Sequence, residues 1–280
     1  MGSPLHLAVA LRATGDEAFT AKHWVELARE AEEAALDFVT FDDSLGGEPG
    51  LDAVLTAARV APLTSRIGLV PTAVVTHTEP FHLSKAIATL DYVSKGRAGV
   101  QLTTDSLHGK HFGRRENFDD LWEEAADHAE VLRRLWDSWE DGAEIRDVTT
   151  GRFIDREKLH HIDFEGRWFS VRGPSITPRP PQGHPPIAAT EPGFADIVFG
   201  DDPSVPGALV FRDVTGVPEA GQLREWQEQG FAGFRIHADL HEVTRGLVPE
   251  LRGKGLFRTE YEHTTLRGHL GLAKPANQYA

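Results

Sequence analysis

The sequence has 280 residues, 40% of them hydrophobic, and a formal net charge of −14. This length suits one large α/β domain or two small ones. The negative charge makes nucleic acid a poor partner, because a phosphate backbone would be repelled. The chain has no cysteine, and its N-terminus and apolar runs match neither a signal peptide nor a membrane helix, so we expect a cytoplasmic protein without membrane contact.

The first half of the chain alternates predicted strands and predicted helices. The strands are predicted at 5–11, 38–41, 67–75 and 98–102. The helices are predicted at 19–35, 52–61, 80–94 and 117–139, the last rich in acidic and aromatic residues. This alternation predicts parallel strands joined by right-handed crossovers.

Residues 141–184 interrupt the alternation. An extended, hairpin-like stretch at 164–171 is followed by five prolines between positions 174 and 185. These features predict an insertion at the mouth of the domain rather than a second domain. Its aromatic residues either close over an apolar ligand or pack the insertion onto the domain: Phe153, Phe164, Trp168 and Phe169.

The second half has four more predicted strands but fewer helices. The strands are predicted at 187–189, 197–199, 208–211 and 234–237, with helices at 219–229 and 243–254 and a polar tail at 258–280. Only the five residues 191–195 lie between Thr190, which follows the first of these strands, and Asp196, which precedes the second, whereas a parallel crossover usually needs a dozen residues or more. Five extended residues reach about 17 Å, which is barely enough to return along a short strand. We therefore expect one (β/α)8 TIM-like barrel domain over residues 1–280, with helices trimmed in its second half. The alternative is that these strands do not all join one parallel sheet.

Several ordered blocks of sequence resemble one family. They are IGL at 67–69, EPFHL at 79–83, GRAG at 96–99, GRWFSVRGP at 166–174 and GLFRTEYE at 255–262. They resemble the bacterial luciferase-like flavin monooxygenases, specifically the nitrilotriacetate and dibenzothiophene-sulfone monooxygenase branch. The resemblance implies a (β/α)8 barrel that uses O2 and reduced FMN, supplied by a separate NAD(P)H-dependent flavin reductase, to oxygenate a small organic substrate. It also implies a homodimer.

The resemblance places the cofactor at the C-terminal ends of the strands, where barrel enzymes bind ligands. Its implied cofactor-binding residues are Asp43, Thr72, Gln101 and Thr104. Asp43 also fits the role of a helix cap, and Thr72 that of an ordinary strand residue.

The implied catalytic candidates are His82, Asp105 and His108. His82 matches a family histidine, although a packing role fits it as well. Asp105 places an anion where the family has a neutral hydroxyl, which is unfavourable unless the carboxylate is paired. Candidate partners follow in the next loop: His108, Lys110, His111, Arg114 and Arg115. No metal site is predicted, because His6 stands alone and His237 and His241 straddle a strand end.

The segment Ala189-Thr190-Glu191-Pro192-Gly193 departs most from the resemblance. It stands where the family opens a helix whose backbone N–H groups cradle the FMN phosphate. Here the helix is lost, proline removes one donor and Glu191 adds negative charge. Three hypotheses stay open: a monooxygenase that holds FMN weakly, a flavin-free ligand-binding or accessory protein, and an enzyme with cofactor-independent chemistry.

Overall fold

The computed structural model describes residues 5–47, 49–113 and 119–280. Eight parallel strands close into a barrel. The first four are β1 His6–Leu11, β2 Phe38–Phe41, β3 Gly68–Val74 and β4 Val100–Thr103. Two antiparallel hairpins follow, β5 Glu144–Asp147 with β6 Arg152–Ile154, and β7 Phe164–Glu165 with β8 Ser170–Val171. The barrel is completed by β9 Ile187–Ala189, β10 Ile197–Phe199, β11 Leu209–Thr215 and β12 Gly233–His237.

Helices cover one side of the barrel more fully than the other. Four helices of at least eight residues belong to the first half: α1 Ala21–Glu33, α2 Ala53–Val60, α3 Pro80–Ser94 and α4 Leu121–Asp137. The second half has α5 Ala220–Glu228, α6 Leu240–Glu242, α7 Val248–Gly253 and α8 Leu266–His269, with a π-helical turn between α6 and α7. None of these helices is long and apolar enough to cross a bilayer, within the ranges that the structure describes.

The predicted barrel with a trimmed second half is confirmed, and the alternative of strands outside the parallel sheet is wrong. Ile197 pairs in register with Ala188 on one side and with Leu209 on the other. Residues 190–196 and 200–208 join β9, β10 and β11 without a helix. The crossing is short because β9 and β10 have only three residues each. We call β9, β10 and residues 190–208 the trimmed flank.

Loop side chains replace the missing helices on the trimmed flank. The outward-facing Val198 is 2% exposed. It is packed beneath Phe194 and Val205 of the connections and Trp122 of α4. The outer face of the trimmed flank is therefore shielded from solvent, although its own residues form no helix.

The C-terminal residues are more than a polar tail, because they close the N-terminal end of the barrel. Leu266 and Leu270 are buried among inward-facing residues of the strands. A Cβ built on Gly68 would lie 2.6 Å from the Leu266 side chain, so only glycine leaves room for it there. Nearby, buried Asp37 pairs with His6 at 2.8 Å and Arg258 at 3.0 Å. His6 thus has a structural partner at the end opposite the expected site.

The insertion packs against the outside of the barrel. Phe164 and Phe169 join the cluster formed by Val131 and Leu135 of α4. The ring of Phe169 also lies edge-on to His128 at 4.8 Å between centroids. These contacts favour the packing interpretation for both aromatic residues, whereas Phe153 is 55% exposed.

Candidate functional site

The inward positions of the barrel change from apolar to polar towards the C-terminal ends of the strands. Side chains alternate along a strand, so Thr40 lies above Phe38, Thr72 above Val70 and Asp213 above Phe211. Gln101 is level with Thr72, and Arg235 is level with Asp213. We call these inward-facing residues the polar layer: Thr40, Thr72, Gln101, Asp213 and Arg235.

Arg235 is the centre of the polar layer. Its Nε and Nη2 donate to the two carboxylate oxygens of Asp213 at 2.6 and 2.7 Å. Its Nη1 donates to Oε1 of Gln101 at 2.8 Å. The guanidinium also covers the ring of Phe199, with Cζ 3.5 Å from the ring centroid. One arginine therefore connects β12, β11, β4 and β10, and bidentate pairing fixes its orientation.

Asp213 extends the network to the rim of the barrel. Its Oδ1 lies 2.8 Å from Nε2 of His237, and Arg12 lies 3.3 Å from the other ring nitrogen. Because the arginine can only donate, this arrangement places the proton of neutral His237 on Nε2. Burial alone would raise the pKa of Asp213, but hydrogen bonds from His237 and Arg235 and their charges lower it to about 2.

Two hydroxyls of the polar layer have no partner. Thr40 is fully buried and Thr72 is 5% exposed. Their Oγ1 atoms make no hydrogen bond in the part of the chain that the structure describes. An unsatisfied buried polar group costs about 1–3 kcal/mol. The interior of the barrel mouth thus offers hydrogen bonds that the protein itself does not use.

A second polar group lies on the loop after β4. Asp105 accepts from the backbone N–H groups of Leu107 and His108, both at 2.7 Å, and from Nδ1 of His108 at 2.9 Å. Burial alone raises the pKa of Asp105, but the hydrogen bonds from His108 lower it below its usual value. The expected partner of this carboxylate is thus His108, while Arg114 and Arg115 lie outside the described residues.

The Asp105–His108 pair bridges two loops of the barrel mouth. A Cβ on Gly46, in the loop after β2, would fall 2.1–2.4 Å from three ring atoms of His108. The imidazole thus lies directly on the Gly46 backbone. Asp105 holds Nδ1 and leaves Nε2 as the nitrogen available for proton transfer.

The other residues predicted from the sequence are spread over the mouth and its outer layer. Asp43 accepts from the backbone N–H of Ala53 at 3.0 Å and so ties the loop after β2 to the start of α2. Burial raises its pKa. Thr104 is half-buried just beyond β4, and His82 is exposed on α3 with its ring edge-on to Phe81. The structure does not bring His82 into the barrel interior.

All the charged side chains of the trimmed flank are negative. Residues 190–208 include four carboxylates and no lysine, arginine or histidine: Glu191, Asp196, Asp201 and Asp202. The neighbouring Arg133 donates to the backbone oxygen of Phe194 at 2.6 Å and pairs with Asp196 at 3.3 Å. Glu191, Pro192 and Gly193 are exposed.

A cavity of about 450 Å³ opens beside the polar layer, between β1, α1 and the loop after β12. Its polar lining includes Arg12 and His237. Apolar side chains such as Leu11, Leu27 and Leu240 provide the rest. Its size and mixed lining suit a small organic molecule.

Sequence reasoning missed three residues of this site, namely Arg12, Asp213 and Arg235. His237 was set aside as a metal ligand, and its contact with Asp213 was not predicted. One signal was present, because Arg235 stands at the centre of the apolar strand Gly233–His237. A charge inside a buried strand is rare unless it is paired, so the sequence predicts a buried carboxylate partner for Arg235.

The fold and the site define a barrel with a polar C-terminal mouth and an adjoining cavity. The model of the family described as luciferase-like monooxygenase matches residues 4–197. The chain therefore belongs to the luciferase-like monooxygenase family, and the expected resemblance is confirmed.

Individual relatives differ in how much of their length the chain spans. It is 27% identical to nitrilotriacetate monooxygenase component A of Aminobacter aminovorans over 414 aligned positions, which cover 92% of this chain and 91% of that protein. It is 29% identical to dibenzothiophene-sulfone monooxygenase of Rhodococcus erythropolis over 66% of this chain but only 46% of that protein. The alignment with the nitrilotriacetate monooxygenase has 414 positions, whereas this chain has 280 residues, so many positions of that protein are opposite gaps in this chain. The chain is therefore internally shortened relative to that protein.

One relative has the same compact length. The chain is 30% identical to a subunit of the pristinamycin IIA synthase of Streptomyces pristinaespiralis over 265 positions, covering 90% of this chain and 89% of that protein. Among solved structures, a long-chain alkane monooxygenase superposes with a TM-score of 0.85 at 20% identity, covering 97% of this chain and 96% of that one. At this identity the structural match shows the shared fold.

Only one part of the site fits an FMN molecule. The unpartnered hydroxyls of Thr40 and Thr72 fit the polar edge of a bound ring system. The acidic trimmed flank does not fit a phosphate group. The barrel interior thus offers hydrogen bonds that suit the ring of a flavin, whereas the acidic trimmed flank does not suit its phosphate.

Proposed function

We propose that this protein is a monooxygenase that binds reduced FMN at the barrel mouth and oxygenates a small organic substrate in the cytoplasm. The flavin arrives already reduced from a separate NAD(P)H-dependent reductase. When bound, it supplies the two electrons with which one atom of O2 enters the substrate and the other leaves as water. The observation that carries the proposal is the polar layer with its two unpartnered hydroxyls in a barrel of this family.

The residues of the mouth have separate roles in this proposal. Thr72, Gln101 and Thr104 line the flavin site, with Asp43 holding the neighbouring loop. Gln101 is oriented for this role by Arg235. The substrate occupies the adjoining cavity of about 450 Å³.

Proton transfer is assigned to the loop after β4. Asp105 positions the ring of His108 through Nδ1, so that Nε2 accepts or delivers the proton. His82 is a weaker catalytic candidate because it is exposed on the outer helix α3.

The proposal is tested by the rate at which reduced FMN is reoxidised. The protein, in excess, is mixed anaerobically with reduced FMN and then with oxygenated buffer, and the return of oxidised-flavin absorbance is followed. We expect the protein to change this rate from that of free flavin, because a bound ring is shielded from solvent. Thr72→Val is expected to restore the free rate, whereas Arg134→Gln, on the outside of the barrel, serves as the matched control. A free-flavin rate at saturating protein would disprove this function.

A second candidate function is that of an accessory protein in a larger enzyme. The observation that favours it is the compact relative, whose name describes it as one subunit of a synthase. The acidic trimmed flank is consistent with a barrel that has given up its own flavin. Failure of the isolated chain to bind reduced FMN at any concentration would favour this candidate.

We also propose a homodimer formed through α2 and α3. Large apolar side chains are exposed on these helices, including Leu55 at 71%, Tyr92 at 43% and Val93 at 42%. Burying them would be favourable at about 25 cal/mol per Å². Sedimentation velocity is expected to show a dimer, which Leu55→Asp converts to monomer.

A further inference from the structure

We infer that the barrel mouth recognises the ring system of a flavin without holding its phosphate, so that it accepts reduced riboflavin as well as reduced FMN. The inference rests on the proposed function and narrows its ligand to the isoalloxazine ring. Two independent features of the structure carry it.

The first feature is the charge of the trimmed flank. Its residues carry four carboxylates and no cationic side chain. The adjacent cations are paired with two of these carboxylates: Arg133 and Arg267 with Asp196 at 3.3 and 3.4 Å, and Arg212 with Asp201 at 3.3 Å. Arg212 is further held over the ring of Trp226 at 4.4 Å. Glu191 and Asp202 have no ion-pair partner among the residues that the structure describes, so a phosphate dianion within a Debye length of them, about 8 Å in physiological salt, is repelled.

The backbone of the same flank does not compensate for this repulsion. Phosphate groups are often held by the free N–H groups at a helix N-terminus, but residues 190–196 and 200–208 form no helix. Carboxylates already occupy some of the local donors. Asp196 accepts from the N–H of Ile187 at 2.9 Å, and Asp202 accepts from the N–H of Ser204 at 2.9 Å. Pro192 has no N–H to offer.

The second feature is the set of unused hydrogen bonds in the interior. The hydroxyls of Thr40 and Thr72 are at least nine-tenths buried, face into the barrel and lack partners among the residues that the structure describes. Arg235 fixes the amide of Gln101 in register with Thr72. A flavin ring carries carbonyl and ring-nitrogen groups along one edge, and such groups satisfy hydroxyl and amide partners. The hydrogen bonds on offer thus match the part of the cofactor that riboflavin and FMN share.

The test compares the two flavins on the wild-type protein. Reduced FMN and reduced riboflavin are titrated anaerobically, and free flavin is measured by ultrafiltration. We expect dissociation constants that agree within about threefold. Tighter binding of FMN by about tenfold or more would overturn the inference, and would show that a cation elsewhere on the rim, such as exposed Lys110, holds the phosphate. Binding of neither flavin would instead reject the proposed function, so the two failures are distinguishable.

Substitutions distinguish the effect of the ring site from the effect of the trimmed flank on flavin binding. Thr72→Val is expected to weaken both flavins by the same factor, about tenfold. The double change Glu191→Ser with Pro192→Gly is expected to tighten FMN alone, because it removes a repelling charge and restores a donor. Glu228→Ser, an exposed carboxylate on α5, is the matched control and should change neither constant. Loss of FMN affinity alone in the double variant would overturn the inference, because it would show that the native loop already holds the phosphate.

Discussion

The two sides of this barrel differ in what covers the outer faces of their strands. Strands β1 to β4 lie beneath α1 to α4, and Ile187 of β9 still packs in the cluster of α4. In contrast, β10 lies beneath loop side chains and one residue of α4. Both sides keep parallel strand pairing in register. Barrel closure therefore depends on strand pairing, and a helical cover can be lost without opening the sheet. What the trimmed flank loses is strand length and the backbone donors of helix N-termini.

The largest effect we expect concerns a buried histidine on the helical side. Burial lowers the pKa of His128, on α4, to about 4. Below pH 6.5 the unfolded chain protonates this histidine while the folded chain does not, so stability falls as the pH drops from 6.5 to 4, by up to about 3 kcal/mol. We expect His128→Leu to lose this part of the pH dependence in urea unfolding between pH 7 and pH 4.5.

The same substitution at the exposed His82, His82→Leu, is the control for removing an imidazole outside the core. Residues 190–208 contain no histidine, so acid is expected to weaken the helical side before the trimmed flank. Equal pH dependence in wild type and His128→Leu would contradict the assignment.

A matched pair of substitutions compares how rigidly the helices and the loops pack over the strands, through the loss of stability that each substitution causes. Val100 on β4 and Val198 on β10 both face outward and are at most 2% exposed. Val100→Ala leaves a cavity under packed helices, with an expected loss of about 2 kcal/mol. Val198→Ala lies under loops that can collapse, with an expected loss of about 1 kcal/mol. Chemical denaturation gives both values, and an equal loss would mean that the loops pack as rigidly as helices.

The smallest effect concerns the start of α2. Asp43→Ala removes the acceptor for the N–H of Ala53 and is expected to cost about 1 kcal/mol. If Asp43 holds a loop of the flavin site, the variant also binds reduced FMN more weakly. Asp52→Ala is the control, because Asp52 accepts from Leu55 at the same helix start. An equal change in FMN affinity in both variants would remove Asp43 from the site.

The barrel could be predicted from sequence because its strands are short apolar runs separated by turn residues. The prediction for β11 ended at residue 211, whereas the strand continues to Thr215. Arg212 and Asp213 break the apolar run, and the pairing of Asp213 with Arg235 and His237 explains the carboxylate there. The bond between Arg235 and Gln101 joins residues 134 positions apart, and no local pattern reveals such a contact. Asp105 was predicted from the resemblance, with His108 as one of five candidate partners in the next loop, and the turn between them explains why His108 is the partner in the structure.

The seal at the N-terminal end of the barrel has a consequence for biosynthesis. Leu266 fills the space over Gly68, and Arg258 pairs with Asp37. The residues that close this end thus leave the ribosome later than the strands that they seal. A nascent chain that ends before Leu266 keeps an apolar opening under its first strands, so truncated products of this chain should be recognised by chaperones even when every strand is present.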